Sequence, residues 1–152
     1  MRIVVQRVER AAVRVGDEDV GAIGAGVLAL VGVGPDDARL DLDSAARKLL
    51  ELRIFADAAG KMNLSLLDLH LEVLAVSQFT LYGDVRKGRR PSYAQAAAPD
   101  VALPIFDGLV AAMRAAGARV ATGRFGAHMR VELVNDGPVT LVIEVAPPAA
   151  EG

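Results

Sequence analysis

Two short segments hold the polar groups best suited to chemistry. One is Ser77-Gln78-Phe79-Thr80-Leu81, at the end of an apolar run. The other, roughly 60 positions further on, is Asn135-Asp136-Gly137-Pro138-Val139-Thr140, between two strand-like runs. Ser77 and Thr80 carry hydroxyls, but a hydroxyl becomes a good nucleophile only with a base in hydrogen-bond reach. The five-residue segment contains no His, Lys or carboxylate. The two hydroxyls are therefore read as groups that orient or polarise. The backbone N–H groups of Phe79 and Thr80 can stabilise an oxyanion if they leave the sheet ladder. Gly137 lacks a Cβ and Pro138 lacks an N–H, so the pair can present a carbonyl to a ligand at close quarters. The isomer of that bond is open at this level.

Other candidate chemistries are weaker. His70 and His128 are the only histidines, and neither has metal-ligand spacing around it. A surface or structural role is expected for both, and no metal or cofactor is expected. Gly24-Ala25-Gly26-Val27-Leu28-Ala29 loosely matches a dinucleotide-binding pattern, but that pattern should open a helix. Here it leads into a β-rich apolar run, so a glycine turn feeding a strand is the reading. Arg86-Lys87-Gly88-Arg89-Arg90 places four cations in five residues. Alone it reads equally as a solvated loop or a phosphate contact. Its position just after Thr80 favours Arg86, Lys87, Arg89 and Arg90 as contacts to nucleic-acid phosphates near a site.

The elements that must position these residues follow from periodicity. Residues 2–15 read as one long strand or two with a bend, followed by a turn at 16–19 and strand from 20 to 33. A helix is expected over 36–52, where acidic residues crowd the first turns, then a short strand-like piece at 53–55 and a loop at 57–60. Strand returns over 71–81. A second helix is expected from about Pro104 to Ala116, ended by Gly117. Strands at 119–123, 129–134 and 140–145 complete the chain, the last two forming a hairpin about Asn135–Pro138. The expected class is α+β: a single domain, 1–146, whose mixed or antiparallel sheet curls into a barrel-like core with two main helices. Residues 147–152 are expected to be a frayed tail.

Bulk properties agree with a folded domain. The chain has 152 residues, 53% of them hydrophobic, with no Trp and 4% aromatics, so its core must be aliphatic. Cysteine is absent, which removes disulfides and thiolate chemistry and is consistent with the cytosol. No signal peptide or membrane span is expected, and a cytoplasmic location is. A net charge of -2 disfavours coating of nucleic acid through bulk charge.

The chain resembles the D-aminoacyl-tRNA deacylases of the bacterial and eukaryotic type. The resemblance rests on Gln6-Arg7-Val8, Gly60-Lys61-Met62-Asn63, Ser77–Leu81, Arg89-Arg90-Pro91-Ser92 and Thr122-Gly123-Arg124-Phe125 through Thr140, in order and at fitting spacing. It implies a homodimer of small barrel-like subunits that hydrolyses the ester joining a D-amino acid, or glycine, to the 3′ end of tRNA. It implies that Gly137 and Pro138 form a cis peptide inserted into the partner's pocket, where their carbonyls exclude L-amino acids. Ser77, Gln78, Phe79 and Thr80 would form the pocket floor, and Arg7, Phe125 and Met129 would line or brace it. Catalysis assisted by the terminal 2′-hydroxyl of the tRNA suits a segment without a base. His128 stands where the family usually has Asp. Two alternatives remain: a non-catalytic nucleic-acid-binding module, and a related deacylase that clears a mischarged L-amino acid and has a trans Gly-Pro bond.

Overall fold

A computed structural model describes residues 1–149. Its organising element is β1, Arg2–Val15, which buries Ile3, Val5, Val8, Ala11 and Val13. The strand is long enough to have two partners along one edge. Arg2–Val8 pair antiparallel with β3 (Gly26–Gly32), and Ala11–Val15 pair antiparallel with β2 (Glu18–Ile23). Its other edge pairs antiparallel with the last strand, β8 (Arg130–Glu144). Beyond β3 the ladder becomes parallel, first to β6 (Glu72–Ser77) and then to β7 (Arg119–Thr122). A separate two-stranded piece joins β4 (Phe55–Ala56) to β5 (Met62–Leu64).

The main sheet nearly closes on itself, because β2 curls back against β7. A Cβ added at Gly21 would stand 2.3 Å from the Thr122 carbonyl oxygen, so only glycine permits that approach. Strand alternation then divides the apolar residues into two layers. Val8, Val13, Leu28, Leu74 and Val76 fill the inside of the curled sheet. Val27, Ala29, Val31, Val73 and Ala75 face the helices α1 (Leu42–Leu50) and α2 (Pro99–Ala115). Leu109 of α2 is fully buried in this second layer. Leu109→Ala is expected to destabilise the fold by about 2–5 kcal/mol, seen as a lower urea midpoint at unchanged slope.

The α+β class, the single domain, the two helices and the barrel-like sheet agree with the sequence reading, while several boundaries differ. The first helical region is two pieces, a 3-10 turn at Asp37–Arg39 and α1, whose N-cap Asp41 accepts from the amides of Asp43 and Ser44. The second helix starts at Pro99, where a missing N–H costs nothing, and Pro104 lies inside it. The buried face Ala102, Ile105, Phe106, Leu109, Val110 and Met113 outweighs the bond that Pro104 forfeits. The strand expected to 81 stops at Ser77. The hairpin expected about Asn135–Pro138 does not form, because β8 continues through those residues along β1. The turn-forming residues instead make a bulge. Of the expected tail, residues 150–152 lie outside the described residues.

Candidate active site

The pairing of β6 with β3 ends at Ser77 opposite Val31. The amide of Gln78 then donates to the Val31 carbonyl at 2.8 Å, and the chain tightens into a 3-10 turn, Phe79–Tyr82. Within it Leu81 N–H donates to Gln78 O at 3.3 Å and Gly83 N–H to Thr80 O at 2.9 Å. The N–H groups of Phe79 and Thr80 have no acceptor among the described residues, as the first donors of a helical turn do not. They have left the ladder, which is the condition for their use on an oxyanion. The Gln78 side-chain amide donates to the Thr80 hydroxyl oxygen. Phe79 is 54% exposed and meets Tyr93 edge-on, with ring centroids 5.1 Å apart.

Beside this turn lies an open cavity of about 650 Å³. Ser77, Gln78 and Phe79 form one side and Phe125 and Met129 another, with the start of α2 behind them. Phe125 is held by Phe106 of α2, at 6.4 Å between centroids. Met129 rests over Gly123, where a Cβ would fall 2.6 Å from its sulfur. The structure thus gathers five of the expected residues about one cavity, and Thr80 is tied to it through Gln78. His128 also lines the cavity, although its flanks gave it only a surface or structural role. Its place between Phe125 and Met129 was the available signal. It makes no hydrogen bond to Ser77 or Thr80, and no group of three or more His, Cys, Asp or Glu residues is placed to hold a metal, among the described residues.

Gly137 and Pro138 form a second cluster. Gln6 pairs with Thr140 and Val8 with Asn135, so residues 136–139 bulge out opposite Arg7 alone. Asn135 closes the bulge: its amide donates to the Val139 carbonyl at 3.2 Å, and its oxygen accepts from Val139 N–H at 2.8 Å. Arg7 braces it from below, donating to Asp136 O at 2.9 Å and Ile54 O at 2.6 Å. The Gly137-Pro138 bond is cis, and both residues are exposed. They do not line the cavity of their own chain. Register explains why. Ser77 is level with Val31 and hence with Ile3, four residues from Arg7, and four strand residues span about 14 Å.

The basic loop follows the 3-10 turn and is closed by a bridge between Asp84 and Ser92. Arg86 folds back on Asp84, with contacts of 2.9 and 2.7 Å. Hydrogen bonds from the Arg86 side chain and backbone hold the Asp84 carboxyl down at about 2. The charge of Arg86 is therefore largely spent within the loop. Lys87, Arg89 and Arg90 are exposed and have no ion-pair partner among the described residues.

The cavity thus brings together backbone donors, hydroxyls and apolar walls, with no acid and base paired beside it among the described residues. The family model of D-Tyr-tRNA(Tyr) deacylase matches residues 4–144, and the chain belongs to that family. It is 57% identical over 144 residues to the D-aminoacyl-tRNA deacylase of Geobacillus sp. (strain WCH70), covering 95% of each chain. It is 56% identical over 144 residues to that of Thermosipho africanus (strain TCF52B), covering 95% of this chain and 97% of the other. Among solved structures, the c-Myc DNA unwinding element binding protein superposes with a TM-score of 0.89 at 40% identity, covering 96% of this chain and 99% of the other. A probable eukaryotic D-amino acid tRNA deacylase shares the fold, with a TM-score of 0.82 at 22% identity over 95% and 98% of the two chains.

Proposed function

We propose that this protein hydrolyses the ester bond of D-aminoacyl-tRNA, and of glycyl-tRNA, and so removes wrongly charged amino acids before translation uses them. The observation that carries this reading is the apolar cavity ending at Ser77–Phe79, with the free N–H groups of Phe79 and Thr80 beside it. An apolar cavity of this size accommodates a nucleoside, and Phe79 and Tyr93 offer aromatic surface to a base. The ester of the terminal ribose then falls at the 3-10 turn, where the two amides meet the developing oxyanion. Thr80, whose oxygen accepts from Gln78, orients the ester. Activation falls to the substrate's own 2′-hydroxyl, because no base is paired with a hydroxyl of the turn.

Chirality is assigned to Gly137 and Pro138. They are exposed and set about 14 Å along β1 from the level of Ser77, so they serve the cavity of a second copy in a homodimer. Their carbonyls leave room for the α-hydrogen of a D-configured carbon, and not for the side chain that an L-configured carbon would place there. The tRNA body is held by Lys87, Arg89 and Arg90, with Arg86 shaping the loop. Such an enzyme works where tRNA is charged, in the cytoplasm. Among the described residues, no helix is long and apolar enough to cross a membrane.

The test is turnover of D-tyrosyl-tRNA against L-tyrosyl-tRNA. Hydrolysis of the D ester is expected, with the L ester slower by at least about a hundredfold, the scale of steric discrimination in a shaped site. Equal rates would remove the chirality argument. Silence toward both, with binding that tracks the charges of the basic loop, would favour a nucleic-acid-binding module.

A further inference from the structure

A second cavity, of about 840 Å³, is reached at the Tyr82 end of the Phe79–Tyr82 turn and shares no lining residue with the first. Tyr82 and Gly83 form its inner wall, and Arg2, Asp36, Gln95 and Arg86 reach into it. The Arg2 guanidinium sits 4.7 Å from the centre of the Tyr82 ring. It is fixed there by bonds to the Leu81 carbonyl at 3.2 Å and to the Glu144 carboxylate at 3.1 Å. Its side chain lines the cavity and remains 43% exposed, so the guanidinium face turned away from Tyr82 is available to a ligand. Unstacked bases stack on such planes. Burial pushes the Tyr82 phenol up to about 12, so it stays a neutral donor over the physiological range. Asp36 is exposed and has no cationic partner among the described residues. With the Gln95 amide it offers oxygen acceptors to the edge of a planar ring. The rim continues through Arg86 into the exposed cations of the basic loop.

A stacking plane, acceptors at its edge and cations beyond them are the chemistry of a nucleotide whose base carries an exocyclic amino group. Phe79 lines the apolar cavity and Tyr82 the polar one, at the two ends of one 3-10 turn. From Phe79 to Tyr82 that turn rises about 6 Å, a distance one nucleotide can bridge. We propose that the polar cavity is a subsite for the penultimate nucleotide of the substrate's single-stranded 3′ end, and that it prefers a base with an exocyclic amino group. In tRNA that base is cytosine, whose N4 amino group donates to carboxylate or amide oxygens. The assignment rests on the deacylase reading and extends it from the terminal nucleoside to the one before.

The test compares kcat/KM for three substrates: the 3′-D-tyrosyl esters of adenosine, of the dinucleotide CpA and of the dinucleotide UpA. The expected result is a gain of about tenfold from adenosine to CpA and a smaller gain to UpA, the scale of one stacked base. In the double variant Asp36→Ala, Gln95→Ala the CpA advantage over UpA should vanish, with the thermal midpoint unchanged. Brisk hydrolysis of the adenosine ester with no gain from CpA would overturn the subsite and leave the deacylase reading standing. Failure to hydrolyse any of the three would overturn both. Equal gains from CpA and UpA would overturn the preference for an amino-bearing base.

Discussion

Gly137→Ala is expected to lower kcat/KM on a D-aminoacyl-tRNA by at least about tenfold while leaving the fold intact. The cause is local. Gly137 has φ +146°, a region that L side chains rarely adopt, and a Cβ there would stand 2.8 Å from both the Val139 nitrogen and its Cγ2. The Arg7 guanidinium lies 3.4 Å away on the other side. Relieving these contacts must displace the bulge, at a strain of about 1–3 kcal/mol. The contacts most exposed to that shift are the Asn135–Val139 bonds and the Arg7–Asp136 bond, which hold the bulge in place. Because the residue is exposed and outside both core layers, the loss of global stability should not exceed that strain, and the fold should persist. The decisive measurement is therefore the ratio of D to L turnover beside a thermal melt. A variant with full activity and unchanged selectivity would show that the bulge does not read the substrate.

A substrate ending in 2′-deoxyadenosine should react at least about a hundredfold more slowly, the scale of losing a positioned acid–base group. Thr80 accepts a hydrogen bond from Gln78 and has no base as a partner. Ser77 ends a strand and is similarly unaccompanied. His128 lines the cavity but is bonded to neither hydroxyl, among the described residues. If the protein supplies no activated nucleophile, the substrate must help activate water or assist the leaving group. Binding of the deoxy substrate should be nearly normal, so the loss belongs in kcat rather than KM. Full-speed turnover of the deoxy ester would return the chemistry to a side chain, with Thr80 and His128 the first to examine.

Much of the fold is legible in local pattern. The alternation in β1, the apolar run at Val27–Val31 and the helical spacing about Leu49 all correspond to observed elements. The errors fall where long-range pairing overrides local preference. Asn135-Asp136-Gly137-Pro138 has the composition of a hairpin turn, but the length of β1 gives both flanking runs the same partner. The chain therefore bulges and continues instead of reversing. Leu81 looks like strand because it follows β6, yet the parallel ladder has ended at Ser77 and the freed backbone tightens into a 3-10 turn. His128 could not be placed near a cavity without the wall that α2 provides. The pairing of Arg86 with Asp84 is likewise a matter of loop geometry, and composition alone counted all four cations as equal.

By itself, then, the sequence determined the class of fold, the absence of thiol chemistry and the two segments proposed to carry function. Those follow from residue types, from periods of two and of 3.6, and from motif order, which are local properties. Only the tertiary structure decided that Phe79 and Thr80 present free amides, that a cavity opens beside them, and that Gly137-Pro138 stands exposed in a bulge of β8 opposite Arg7. These depend on strand register, which positions residues far apart in the chain. A shift of one residue along β1 would turn every side chain of its partner to the opposite face.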